Sequence, residues 1–261
     1  MKQLEGKVAI VTGGGTGIGR STALMLAAEG AEVIVAGRRR APLDEVVAEI
    51  ERAGGRAWAR GADLERREEC EALGRAAVAE RRGVDILVNN AGHSSRVRNI
   101  QWLTQAEWDS VLAVNLTGVY ALTQAVLPSM IERGGGTIVT VSSLAALQPG
   151  LLSGAVYGAA KAGVRNLMAY LHNTFRDKGI RATTVLPAEV DTPIMDLRPV
   201  PPDEKARATM MAAEDVAAAI VLCCTLPMRT VIQEIVMHPT YPRDLSAEIE
   251  ANRRIGEPAA R

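Results

Sequence analysis

The chain has 261 residues with 30 basic and 30 acidic side chains, so its net charge is zero and no global field draws it to nucleic acid or an anionic membrane. Hydrophobic residues make up 48%, enough for one large domain over 1–261, and aromatics at 3% leave its core to Ala, Val, Leu and Ile. Cys70, Cys223 and Cys224 form neither a disulfide framework nor a metal pattern, and His93, His172 and His238 are scattered, so the expectation is no metal site and a reducing cytoplasm.

The first residues, MKQLEGKVAIVTGGG, lack the long apolar stretch of a signal peptide, and no later segment is read as approaching the roughly 20 apolar residues of a membrane span. Lys7 to Thr12 reads as a buried strand and Ile18 to Gly30 as a helix stopped by glycine. Glu32 to Gly37 is a second strand. Pro42 opens a helix that ends at Gly54-Gly55. Arg56 to Arg60 is a third strand, Leu64 to Arg81 a helix, and Asp85 to Asn90 a fourth strand. Gln105 to Arg133 is long and mostly helical, with Pro128 near its end. Gly136 to Ser143, Arg181 to Pro187 and Ile232 to Met237 complete the strands; Ala155 to Lys178 and Asp215 to Leu226 complete the helices. Strict alternation predicts an α/β fold of Rossmann type: a doubly wound, seven-stranded parallel sheet with helices on both faces. Residues from about 188 to 213 read as a lid, and those from about 240 to 261 as a polar tail, partly ordered at most.

The first strand runs straight into TGGGTGIG and a helix. Gly13, Gly17 and Gly19 allow positive φ and close backbone approach, and the helix start offers free N–H groups to a phosphate. In open α/β sheets ligands gather at the carboxyl ends of strands. Those ends here carry Gly37, Asp63-Leu64, Asn89 to Gly92, Ser142-Ser143 and Pro187 to Thr192. Tyr157 and Lys161 lie four residues apart within a helical pattern, on one face. That spacing alone fits a chance surface pair or a phenol held beside an ammonium.

Taken in order, TGGGTGIG, Asp63, NNAG, Asn115 in VNLTG, Ser142-Ser143 and YGAAK resemble the short-chain dehydrogenase/reductase family, over about Gly6 to Pro239. The resemblance implies hydride transfer between a nicotinamide cofactor and an alcohol or carbonyl compound. Tyr157 then handles the substrate proton and Lys161 lowers its pKa. Ser143 positions the oxygen, with Ser142 as fallback because the loop to Tyr157 is one residue longer than is common in the family. Asn115 holds a relay water through its backbone carbonyl. Cofactor contacts are implied for Gly13, Gly15, Thr16, Gly17, Ile18 and Gly19 in the turn, and for Asp63, Leu64, Asn90, Ala91 and Gly92. Tyr157, Lys161, Pro187, Val190 and Thr192 complete that set. Gly37, Arg38 and Arg39 stand where NAD-preferring members carry an acid, so NADP(H) is expected over NAD(H). Ala188 replaces the usual glycine and leaves the path of that loop open.

For the substrate pocket the candidates are His93, Ser143, Leu151, Glu189 and Met195, with Leu152 and Leu197 nearby. The expected partner is a small carbonyl or alcohol compound, without nucleic acid or membrane. The two longest helices carry apolar residues on more than one face, which predicts a homodimer or homotetramer. An idle cofactor-binding sensor or scaffold is the alternative from another class; reduction of an activated C=C bond is a weaker one.

Overall fold

The protein is described by a computed structural model over residues 2–258. The strands are β1 (Val8–Thr12), β2 (Glu32–Gly37), β3 (Arg56–Gly61), β4 (Ile86–Asn89), β5 (Gly136–Val141), β6 (Ile180–Pro187) and β7 (Glu234–Met237). All pair in parallel, in the order β3-β2-β1-β4-β5-β6-β7. The helices are α1 (Gly17–Ala28), α2 (Arg40–Arg52), α3 (Arg67–Arg81), α4 (Gln105–Leu112), α5 (Gly118–Glu132), α6 (Ala155–Phe175), α7 (Glu204–Arg207), α8 (Ala213–Thr225) and α9 (Ser246–Arg254).

Side chains alternate across the sheet. Ala9 and Val11 of β1 join Leu26, Val46 and Ile220 from α1, α2 and α8. Val8 and Ile10 join Leu73, Leu122 and Met168 from α3, α5 and α6 on the other face. With both faces covered, the central strands are continuous apolar runs, as parallel sheets require. The expected seven-stranded, doubly wound parallel layout is the one observed.

The departures have local causes. Asp63 Oδ1 accepts from the Glu65 amide at 3.1 Å and turns the chain, so α3 starts at Arg67 and not at Leu64. The long helix is continuous from α4 to α5, but its middle, Ala113–Thr117, is a π turn. Residues Gln105–Glu132 are, by length and composition, apolar enough to cross a membrane, against the expectation that no segment is. Half of their most apolar window is buried here, where α5 packs on α3 and β5. The segment expected to be a tail instead forms α9, with Glu248 and Asn252 buried. Its buried face is polar, so apolar periodicity does not reveal it.

Candidate active site

Because every strand is parallel, Gly13, Gly37, Asn90, Ser142 and Ala188 all emerge at one edge of the sheet. A cleft of about 610 Å³ follows that edge. Strand order sets its sequence of walls. Gly37, Arg38, Arg39, Asp63 and Leu64 stand beyond β2 and β3. Gly13, Thr16, Gly17, Ile18 and the Asn90-Ala91-Gly92 turn stand beyond β1 and β4. Tyr157, Lys161, Pro187, Val190 and Thr192 close the far end.

Gly13 and Gly17 have φ of 63° and 51°, which L side chains rarely adopt. Gly15 and Gly19 do not line the cleft; a Cβ on Gly15 would press on Pro42 at 3.0 Å, and one on Gly19 would run into the Gly13 carbonyl. They keep the turn tight. Thr12, which sequence reasoning passes over, ties this turn to its neighbour: its Oγ1 accepts from the amides of Asn90 and Ala91 at 3.0 and 3.1 Å. Asn90 Nδ2 donates to the Thr12 carbonyl at 2.9 Å. The Thr16 side chain makes no capping bond at the start of α1, so the first N–H groups of the helix remain as donors at the cleft. That donor set, a glycine cradle and a helix start, fits a dinucleotide phosphate.

Arg38 and Arg39 are exposed and have no acidic partner among the described residues, whereas Arg40 bonds Asp44 at 2.8 Å. Ala188 lies outside the positive-φ region, so it fits where the family pattern has glycine, and its amide donates to the Met237 carbonyl at 2.9 Å. Thr192 is buried against Gly17.

Tyr157 and Lys161 sit one turn apart near the start of α6. The Lys161 Nζ donates to the Val141 carbonyl at 2.8 Å and lies 5.5 Å from the Tyr157 ring centroid. Asn115 is fully buried in the π turn, donating through Nδ2 to the carbonyls of His93 and Val111 at 2.8 and 2.9 Å. Its Oδ1 has no partner among the described residues. Gly92 separates it from Lys161: a Cβ there would lie 2.6 Å from Asn115 Oδ1 and 3.3 Å from Lys161 Nζ. The two serines divide their work. Ser142 Oγ donates to the Lys161 carbonyl at 2.8 Å and is buried, which fixes α6. Ser143 faces the open side and its hydroxyl acts on the Tyr157 phenol.

Burial pushes the Tyr157 phenol up from its usual range, and the Ser143 hydroxyl, Arg98 and Arg198 pull against it. Burial pulls the Lys161 ammonium down to about 8. The ammonium is itself disfavoured by burial, and the cations acting on Tyr157 are the two arginines. Burial also lowers His93, whose Nε2 lies 3.1 Å from Ser110 Oγ.

A second cavity of about 430 Å³ meets the cleft at Ser143, Tyr157 and Met195. Of the pocket candidates, Glu189 and Met195 line this cavity, as does Leu152 but not Leu151, and His93 lines the cleft. Glu189 accepts from Arg198 Nη1 and Arg243 Nη2, each at 2.7 Å. Glu248 of α9 bonds the same two arginines. Arg98, Arg243 and Glu248 are absent from the sequence reading. The charge pattern of α9, with Glu248 in its first turn and Arg253 and Arg254 in its last, is the signal that reveals part of this wall.

The family profile described as short chain dehydrogenase matches residues 7–199. An uncharacterized oxidoreductase of Staphylococcus aureus (strain USA300) is 32% identical over 241 residues, covering 92% of this chain and 100% of that protein. A metagenomic short-chain oxidoreductase solved in complex with NADP aligns with a TM-score of 0.80 at 32% identity, over 92% of this chain and 100% of the other. A 3-ketoacyl-(acyl-carrier-protein) reductase from Brucella melitensis complexed with NADH gives 0.81 at 30% identity, over 91% and 98%.

Proposed function

The chain belongs to the short-chain dehydrogenase family, and from that premise we propose an NADP(H)-dependent oxidoreductase, set in the cytoplasm, that interconverts an alcohol and a ketone or aldehyde. The observation that carries this reading is that Ser143 and Tyr157 stand where the glycine-lined cleft opens into the second cavity, with Lys161 lining the cleft 5.5 Å from the Tyr157 ring centroid. When bound, the nicotinamide supplies or takes up the hydride.

The chain's own residues handle orientation and the proton. With its pKa raised, Tyr157 is protonated at neutral pH, the state that delivers a proton to a carbonyl oxygen. Ser143 holds that oxygen beside the phenol. Lys161 keeps a buried ammonium next to the ring and returns the proton to Tyr157 after turnover. Asn115 locks the π turn and the Gly92 turn around that ammonium. The free N–H groups of α1 and the unpaired Arg38 and Arg39 favour a phosphate-bearing cofactor, and the 2′-phosphate of NADP is the group the arginines fit.

A panel of ketones, aldehydes and alcohols, followed by NADPH absorbance, tests the reading. The expected result is turnover of at least one carbonyl class, with an alcohol as product. Binding of NADPH without turnover of any would move the assignment to a cofactor-binding sensor or scaffold.

A further inference from the structure

Two arginines are buried among the described residues, and they differ in one respect. Arg181 is 5% exposed and Arg98 is 6% exposed. Neither pairs with an acid among the described residues. Arg181 is nevertheless satisfied: it donates to Thr137 Oγ1 at 2.7 Å and to the carbonyls of Leu226, Pro227 and Thr230 at 2.7, 3.1 and 3.1 Å. Those carbonyls lie just past the end of α8, where the helix dipole welcomes a cation.

Arg98 has the opposite setting. Its backbone carbonyl accepts from the Ala155 amide at 3.2 Å, and a Cβ on Gly154 would lie 2.9 Å from its Cδ. The side chain therefore lies against the start of α6, where the dipole opposes a cation. Its Nη1 donates to Ser94 Oγ and, at 2.7 Å, to the Ser153 carbonyl. Its Nε is buried without a partner, and no acceptor among the described residues takes Nη2. Glu107, the carboxylate whose field acts on it, is engaged with the amides of Arg96 and Val97 at 2.7 and 3.1 Å. Arg98 lines the second cavity together with Tyr157.

The charge balance of that cavity completes the case. Arg198 and Arg243 are matched by Glu189 and Glu248 in a closed ring of ion pairs. Arg98 is left over. Burial draws its pKa down to about 10, which still leaves it charged at neutral pH. A buried cation without a counter-charge is costly, and such groups cluster at binding sites.

We propose that Arg98 anchors a carboxylate on the substrate, so that the substrate class is short oxo acids and the matching hydroxy acids. This rests on the oxidoreductase reading above for the reacting carbonyl, but not for the anion site. One uncompensated charge fits a monoanion. Arg98 and Tyr157 line the same cavity, so the carboxylate and the reacting carbon share it.

The test compares acid and neutral ester in pairs. Calorimetry on NADPH-saturated protein uses 3-hydroxybutyrate against methyl 3-hydroxybutyrate, a combination that cannot react. Turnover uses acetoacetate against methyl acetoacetate. The wild type should favour the acid by about 10- to 100-fold, the strength of one charge-assisted contact. Arg98→Met should lose most of that ratio and Arg98→Lys should keep part of it. A wild type that binds acid no better than ester overturns the proposal, as does a folded Arg98→Met with an unchanged ratio. If Arg98→Met does not fold, the wild-type ratio and Arg98→Lys decide. Arg98-dependent acid binding without turnover of acetoacetate or of any carbonyl in the panel above would sink the alcohol–carbonyl reading and leave the anion site. Turnover of esters but not acids would do the reverse.

Discussion

Tyr157→Phe keeps the ring and removes only the transferable proton. Turnover should fall by about 10²–10⁴-fold, the range for acid–base groups, while fluorescence titration shows NADPH binding near the wild-type level. Near-normal turnover would contradict the assigned role. Lys161 makes a prediction of a different kind, because its burial has a stability cost that depends on pH. Its pKa is about 8 in the folded protein against 10.5 in the ordinary state. Between those values the unfolded chain binds the proton more tightly, so stability rises with pH across that window. Below about pH 8 the full cost of the buried charge is present. The unfolding free energy of the wild type, measured against Lys161→Met, should therefore climb by about 3 kcal/mol from pH 8 to 10.5. Denaturant titrations of both proteins at several pH values check this; a flat difference rules it out.

At the scale of elements, the junction of β2 and α2 carries the cofactor preference. Arg39 is the N-cap of α2 and Arg40 its first residue, where cations oppose the helix dipole. Asp44 answers Arg40, which leaves Arg38 and Arg39 for an anion. NADPH should bind about 10- to 100-fold more tightly than NADH, and Arg38→Ala should lose most of the difference in direct titrations. Equal affinities in the wild type would refute it. The ion-pair ring of Glu189, Arg198, Arg243 and Glu248 ties α9 to the loop after β6, with every side chain at 12 to 15% exposure. Glu248→Ala should cost about 3 kcal/mol locally, seen as faster hydrogen exchange over residues 189–198 and 246–254. Wild-type protection in both segments would show that the ring does not hold them. This contrast also explains what the sequence reveals. The strands are legible because burial on two faces makes each a short apolar run, and the glycine turn and the Tyr157–Lys161 pair are legible because their spacing is local. The helix α9 is not, since charge and not an apolar stripe holds it in place. Nor is Arg98, which apart from the nearby Ser94 meets Ser153 and the start of α6, more than fifty residues along the chain.

At the scale of the whole molecule, two groups among the exposed apolar side chains stand outside the cleft and the second cavity. Tyr120 on α5 and Tyr170 on α6 are 38% and 56% exposed. Leu222 on α8, Met228 after it and Val236 on β7 are 48%, 55% and 46% exposed. The first surface belongs to helices whose apolar residues exceed what one sheet face covers; the second lies at the edge of the sheet, where β7 ends the order. Apolar surface of this kind is stable in water when a second copy covers it. A two-fold axis through either surface pairs it with itself, and two such surfaces on different sides generate a closed tetramer. The expected state is therefore a homotetramer, with a dimer as the product of breaking one surface. Light scattering at micromolar concentration should give four chains for the wild type and two for either Tyr170→Glu or Val236→Glu. Each substitution places a charge where the other surface remains intact, so the two variants separate the interfaces. A wild type that scatters as a monomer would show that these side chains are simply solvated, and a tetramer unaffected by both substitutions would place the contacts elsewhere.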